Sequence, residues 1–67
     1  MSEQHKNVWC VFLYNPKYGM TVLDTGLSEE ESQRQVESQI DQGEKDVQRL
    51  RHSEFLMAFG QHPKVKG

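Results

Sequence analysis

The stretch Val8-Trp9-Cys10-Val11-Phe12-Leu13-Tyr14 decides how this chain folds. Seven consecutive apolar residues, rich in β-branched and aromatic side chains, have the length of a strand and are too few for a typical buried helix. Because polar residues do not alternate with them, we expect both faces of the strand to be covered. A two-layer domain with one helix covers only one face, so the other face is a candidate surface for a partner protein.

The residues that follow predict a hairpin. Asn15-Pro16-Lys17-Tyr18-Gly19 has the composition of a turn, because Pro16 fixes its own φ and Gly19 can adopt a positive φ. Residues 20–25 then form a second strand. Two strands joined by about five turn residues pair antiparallel.

A helix is predicted after the hairpin. Ser28 and the glutamate three residues later form an S-x-x-E capping box, and Gly43 is a C-cap residue, so the helix should extend to about Gln42. Its apolar stripe holds only Val36 and Ile40. Such a stripe covers part of a sheet face and leaves a large polar surface for water or a partner.

Residues 47–59 are the ambiguous part of the chain, because their apolar side chains fall on both faces of a strand. We predict an irregular third strand in two pieces, Val47–Arg51 and Glu54–Phe59, with a bulge or kink near His52-Ser53. A second helix in place of the third strand is the alternative. The predicted fold is therefore α+β with the order β-β-α-β, in which one helix packs on one face of a three-stranded antiparallel sheet. It forms one small domain over 1–67, with flexible tails at 1–6 and 61–67.

Size and cysteine content limit the ways in which this domain can be stabilised. A chain of 67 residues with 34% hydrophobic side chains has a small core, and such chains usually need a disulfide, a metal or a partner subunit. Cys10 is the single cysteine, which excludes an intrachain disulfide. We therefore expect a homodimer that forms through a sheet face or edge. With no apolar run long enough to span a membrane and no signal peptide evident, we expect a cytoplasmic protein and no membrane partner.

The sequence contains no strong motif for catalysis, cofactor binding or metal binding. The candidate metal ligands His5, Cys10, His52 and His62 lack the close spacing of structural zinc sites, so we expect no metal and no cofactor. A Cys10–His52 pair would need an accessible thiolate, whereas Cys10 lies in the most apolar stretch. We therefore expect a protein that is not an enzyme.

The charge distribution suggests two classes of partner. The net charge is −2, but residues 28–46 carry seven acidic against two basic side chains, a local charge of −5. Arg49 and Arg51 share a strand face that Lys45 would extend, and aromatic side chains nearby could stack on bases. An oligomeric nucleotide or single-stranded nucleic-acid binder that uses these three cations is thus an alternative function.

Protein binding accounts for more of the sequence. We predict a small regulator or inhibitor that docks through an aromatic-rich sheet surface and an acidic helix. The predicted interface residues are Trp9, Tyr14, Tyr18 and Phe55 for contact, and Glu30, Glu37 and Asp41 for electrostatics.

Overall fold

The computed structural model describes residues 8–65 and contains three strands and two helices. In chain order these are β1 (Trp9–Asn15), β2 (Gly19–Leu27), α1 (Glu29–Asp41), β3 (Val47–Arg51) and α2 (His52–Phe59). The strands form one antiparallel sheet in the order β2-β1-β3, so the apolar run is the central strand. The predicted α+β class and three-stranded antiparallel sheet are confirmed. The tail predicted over 1–6 lies outside the described residues, as do the last two residues of the tail predicted over 61–67.

The hairpin between β1 and β2 forms as its turn residues predict. The Asn15 carbonyl accepts a hydrogen bond from the Tyr18 amide at 3.1 Å, and Gly19 has φ +93°. β2 is longer than the predicted 20–25 because its pairing with β1 is irregular. Trp9 pairs with Leu27 but Phe12 pairs with Val22, so β2 holds two extra residues over that span.

The segment predicted as the second piece of the third strand is a helix. β3 covers Val47–Arg51 as predicted, but Glu54–Phe59 belongs to α2. The Glu54 carboxylate accepts a hydrogen bond from the Arg51 amide, and Gly60 ends the helix at φ +72°. In a helix, Phe55 and Phe59 lie on one face, and both pack against Phe12. The alternative of a second helix thus holds for the second half of this segment.

Helices cover both faces of the sheet. Cys10, Phe12, Val22 and Phe55 form the buried cluster on the α2 face. On the opposite face, Val11 is fully buried and its cross-strand partner Arg49 bonds to α1. The sheet face that we expected to be left open for a partner is therefore occupied by α2.

Helix α1 packs on the sheet through a mainly polar surface. Its N-terminus has the predicted capping box, and Ser32 is its fully buried residue. Gln35 donates a hydrogen bond to the Asp24 carboxylate of β2 at 3.2 Å. Ile40, predicted to face the sheet, is 55% exposed. Across residues 8–65, no helix is long and apolar enough to cross a bilayer.

Candidate functional site

A cleft of about 890 Å³ opens at the end of the sheet where α1 begins and where β3 continues into α2. We call it the tryptophan cleft. Its lining residues come from the start of β1, the first turn of α1 and the junction between β3 and α2. They are Val8, Trp9, Ser28, Glu29, Glu30, Arg51, His52 and Ser53.

Trp9, the first residue of β1, lies beside two arginines of β3. Arg51 is its direct cross-strand partner, and Arg49 is on the same face two residues earlier. The guanidinium carbons of Arg49 and Arg51 lie over the indole ring, 4.6 Å and 5.5 Å from its centroid. These are cation–π distances. The structure therefore brings together three residues for which the sequence predicts two different functions.

The two arginines are held differently. Arg49 is half-buried and donates a hydrogen bond to the Ser32 hydroxyl at 3.1 Å. That hydroxyl donates in turn to the Glu29 carbonyl at 2.7 Å. Arg51 is exposed and lines the cleft. Arg49 thus connects the sheet to α1, while Arg51 is the accessible cation of the site.

His52 lines the cleft and forms hydrogen bonds to two neighbouring segments. Its backbone amide donates to the Val8 carbonyl at 2.7 Å, and its Nε2 accepts a hydrogen bond from the Gly26 amide at 3.4 Å. His52 thereby ties β2 and the chain entering β1 to the start of α2.

Cys10 lies away from the cleft, in the core between the sheet and α2. Its thiol is fully buried and donates to the Leu50 carbonyl at 3.4 Å. Burial raises the pKa of the Cys10 thiol above its ordinary value of 9.0. Because His52 lines the cleft, the folded chain gives the Cys10–His52 pair no common accessible site.

The three predicted acidic residues of α1 share its outward face. Glu37 and Asp41 follow Glu30 by seven and eleven residues, which places all three within an arc of about 40° around the helix. Ser32 points to the opposite side, toward the sheet. All three carboxylates are exposed, and Glu30 also lines the tryptophan cleft. The acidic face of α1 therefore begins at the rim of the cleft.

The remaining predicted residues do not join this site. Phe55 is fully buried in the core, which leaves it no surface for a partner. Tyr14 packs against Phe59 on the α2 face, and Tyr18 is 82% exposed in the hairpin turn. Lys45 precedes β3 in the loop whose Asp46 bonds to Asn15, at the opposite end of the sheet from Arg51. It therefore does not extend the Arg49–Arg51 row.

Sequence reasoning missed the contribution of Val8, Ser28, Glu29 and Ser53 to the site. Their meeting depends on the register between β1 and β3 and on the start of α2 immediately after β3, neither of which has a local signal. Ser32 did have a local signal in the sequence. It lies one turn before Val36, on the side of α1 that faces the sheet, and a buried serine needs a polar partner.

No group of three or more possible metal ligands occurs in the part of the chain that the structure describes. His52 lines the tryptophan cleft, and His62 lines a separate cleft of about 260 Å³ beside β2. His5 lies outside the described residues. Comparison of the chain with protein-family models, curated proteins and solved structures gave no match.

Proposed function

We propose that this chain is a non-catalytic binding domain that regulates or inhibits another protein by docking through the tryptophan cleft. The observation that carries the proposal is the meeting of Trp9, Arg51 and Glu30 on one open cleft. Tryptophan and arginine are enriched among the residues that dominate protein interfaces. A mostly open cleft with an aromatic wall fits a side chain or short segment from a partner.

The charges of the cleft favour a protein over a polyanion. Arg51 faces the cleft from β3, and Glu29 and Glu30 face it from α1. A phosphate chain attracted to the arginine would meet two carboxylates. A protein surface can present groups of both signs, and complementary charges give such contacts specificity. The acidic face of α1, which continues to Glu37 and Asp41, would steer a partner with a basic surface toward the cleft.

The alternative is a nucleotide or single-stranded nucleic-acid binder, and one observation supports it. An indole with two guanidinium groups within 6 Å combines a stacking surface with phosphate donors. However, Arg49 is engaged by Ser32, and Lys45 lies at the other end of the sheet. Of the three cations that the sequence predicts for this function, only Arg51 is therefore both accessible and at the cleft.

A photo-crosslinking amino acid at position 53 tests the proposal in the cells that express the chain. Ser53 is exposed and lines the cleft, whereas Tyr18 is exposed in the hairpin turn at the far end of β1. The same photo-crosslinker at position 18 is therefore the matched control. We expect an adduct with a different polypeptide from position 53 that is not formed from position 18 and is lost in Arg51→Glu.

Two results would overturn the proposal. One is an adduct from position 53 with nucleic acid, which would support the alternative. The other is an identical set of adducts from both positions, because random collision gives no preference for the cleft.

A further inference from the structure

The tryptophan cleft has walls of opposite charge. Arg51, at the end of β3, forms the cationic wall, and Glu30, in the first turn of α1, forms the anionic wall. Both side chains are exposed. A two-fold interface uses the same surface patch on each protomer, so that patch must be complementary to itself. A patch with one wall of each sign meets this electrostatic requirement.

We infer that the tryptophan cleft binds a second copy of this chain in a two-fold dimer, in which Arg51 of each protomer faces Glu30 of the other. The first turn of α1, which carries Glu30, then lies against the cleft of the opposite protomer. The two Trp9 side chains then lie near the two-fold axis. This inference rests on the proposed function, because the second copy occupies the same cleft through which the chain docks on the protein that it regulates, so the two compete for it.

Other occupants match the two walls less well. A purely basic segment would meet Arg51 beside Trp9, where Arg49 adds a second positive charge. A purely acidic segment would meet Glu29 and Glu30. A second copy supplies one cation and one anion with the spacing that the cleft itself has.

The small core gives a second reason for a partner copy. Within residues 8–65, five apolar side chains are buried, and chains of this size commonly gain stability from association. A standard interface covers about 800 Å² on each partner, which is about a sixth of the 5035 Å² surface of this chain. That area exceeds the cleft alone, so the first turns of α1 and α2 must also make contact.

Charge reversal tests the pairing by sedimentation velocity at micromolar concentration. We expect the unmodified chain to be a dimer and each of Arg51→Glu and Glu30→Arg to dissociate at least about tenfold more readily, because like charges then face each other twice. Mixing the two variants should restore a dimer, since one protomer then supplies two carboxylates and the other two guanidinium groups. Glu37→Arg, on the same helix face but outside the cleft, is the matched control and should remain dimeric.

Several outcomes would overturn the inference. They are a monomeric unmodified chain, a dimer that survives Arg51→Glu, and a mixture of the two variants that stays monomeric while circular dichroism shows both folded. A monomeric chain that still forms a cleft-specific adduct with a different polypeptide would overturn the dimer and leave the proposed function standing. A monomer with no cleft-specific adduct would overturn both.

Discussion

The ring of Phe12 meets the ring of Phe55 edge to face, with their centroids 5.1 Å apart and their planes at 85°. This contact joins the central strand to α2. The ring centroid of Phe59 lies 5.6 Å from that of Phe12 and 4.7 Å from that of Phe55. Three aromatic rings therefore hold α2 on the sheet. Edge-to-face pairs contribute stability beyond the area that they bury.

Replacing Phe55 should destabilise the domain severely. Phe55→Ala leaves a cavity at a fully buried position, and such substitutions cost about 3–5 kcal/mol. That is comparable to what the core of so small a chain supplies, so we expect the variant to be largely unfolded. Urea denaturation followed by circular dichroism measures the loss. Met57→Ala, on the exposed side of the same helix, should change the free energy of unfolding by less than about 0.5 kcal/mol. Equal effects of the two substitutions would contradict this account of the core.

The Phe12–Phe55 contact also shows which part of the fold could not be predicted from the sequence. The strand β1, the hairpin and the start of α1 have local causes: an apolar run, turn residues and a capping box. Helix α2 has a non-local one, since Phe55 and Phe59 share a face only if they are helical, and that face is useful only because Phe12 lies opposite it. Without the location of Phe12, the apolar residues of 47–59 fit a strand about as well as a helix.

The candidate site was predictable only in part for a related reason. Strand periodicity alone places Arg49 and Arg51 on one face. Their position over Trp9 depends on the register of two strands that are separated by β2 and α1 along the chain. Sequence patterns specify which side chains share a face more readily than which faces meet. The sequence alone therefore places Trp9 and Arg51 in different hypotheses, although they are cross-strand neighbours.

The capping box of α1 should contribute measurably to stability. The Ser28 hydroxyl accepts from the Glu31 amide at 3.1 Å, and the Glu31 carboxylate accepts from the Ser28 amide at 3.0 Å. Ser28→Ala removes the first bond and should lower the free energy of unfolding by about 0.5–2 kcal/mol. Ser38→Ala, at an exposed position within α1, is the control and should be neutral or slightly stabilising, because alanine has the higher helix propensity. Thermal denaturation of both variants measures the difference. A lower midpoint for Ser38→Ala than for Ser28→Ala would contradict this prediction.

The bond between Arg49 and Ser32 should influence Trp9. Ser32→Ala removes the acceptor that positions the Arg49 guanidinium, which lies 4.6 Å from the centroid of the indole ring. We expect a loss of about 1 kcal/mol in stability and a change in the fluorescence of Trp9, the single tryptophan of the chain. Ser38→Ala again serves as the control because its side chain is exposed on the same helix. An unchanged emission spectrum in Ser32→Ala would show that Ser32 does not position Arg49 over the indole.

Burial of Cys10 should make the domain less stable in alkaline solution. Burial raises the pKa of the Cys10 thiol in the folded chain above the 9.0 of an ordinary thiol. As the pH rises past about 9, the unfolded chain therefore loses the thiol proton first, and the free energy of unfolding falls; below that pH both states keep the proton and this contribution is constant. Tyrosines and lysines also titrate at high pH, so Cys10→Ala is the control, and its stability should decline less steeply between neutral and alkaline pH.

Thiol modification gives an independent measure of the same burial. Because the thiolate is the reactive form and Cys10 is fully buried, a disulfide reagent should modify it slowly in the native chain and quickly in denaturant. The native rate should rise in Phe55→Leu, which keeps an apolar side chain beside the thiol but loses the edge-to-face contact with Phe12. Rapid reaction of the thiol in the native chain without substitutions would place Cys10 at an accessible surface and contradict the packing of α2 on the sheet.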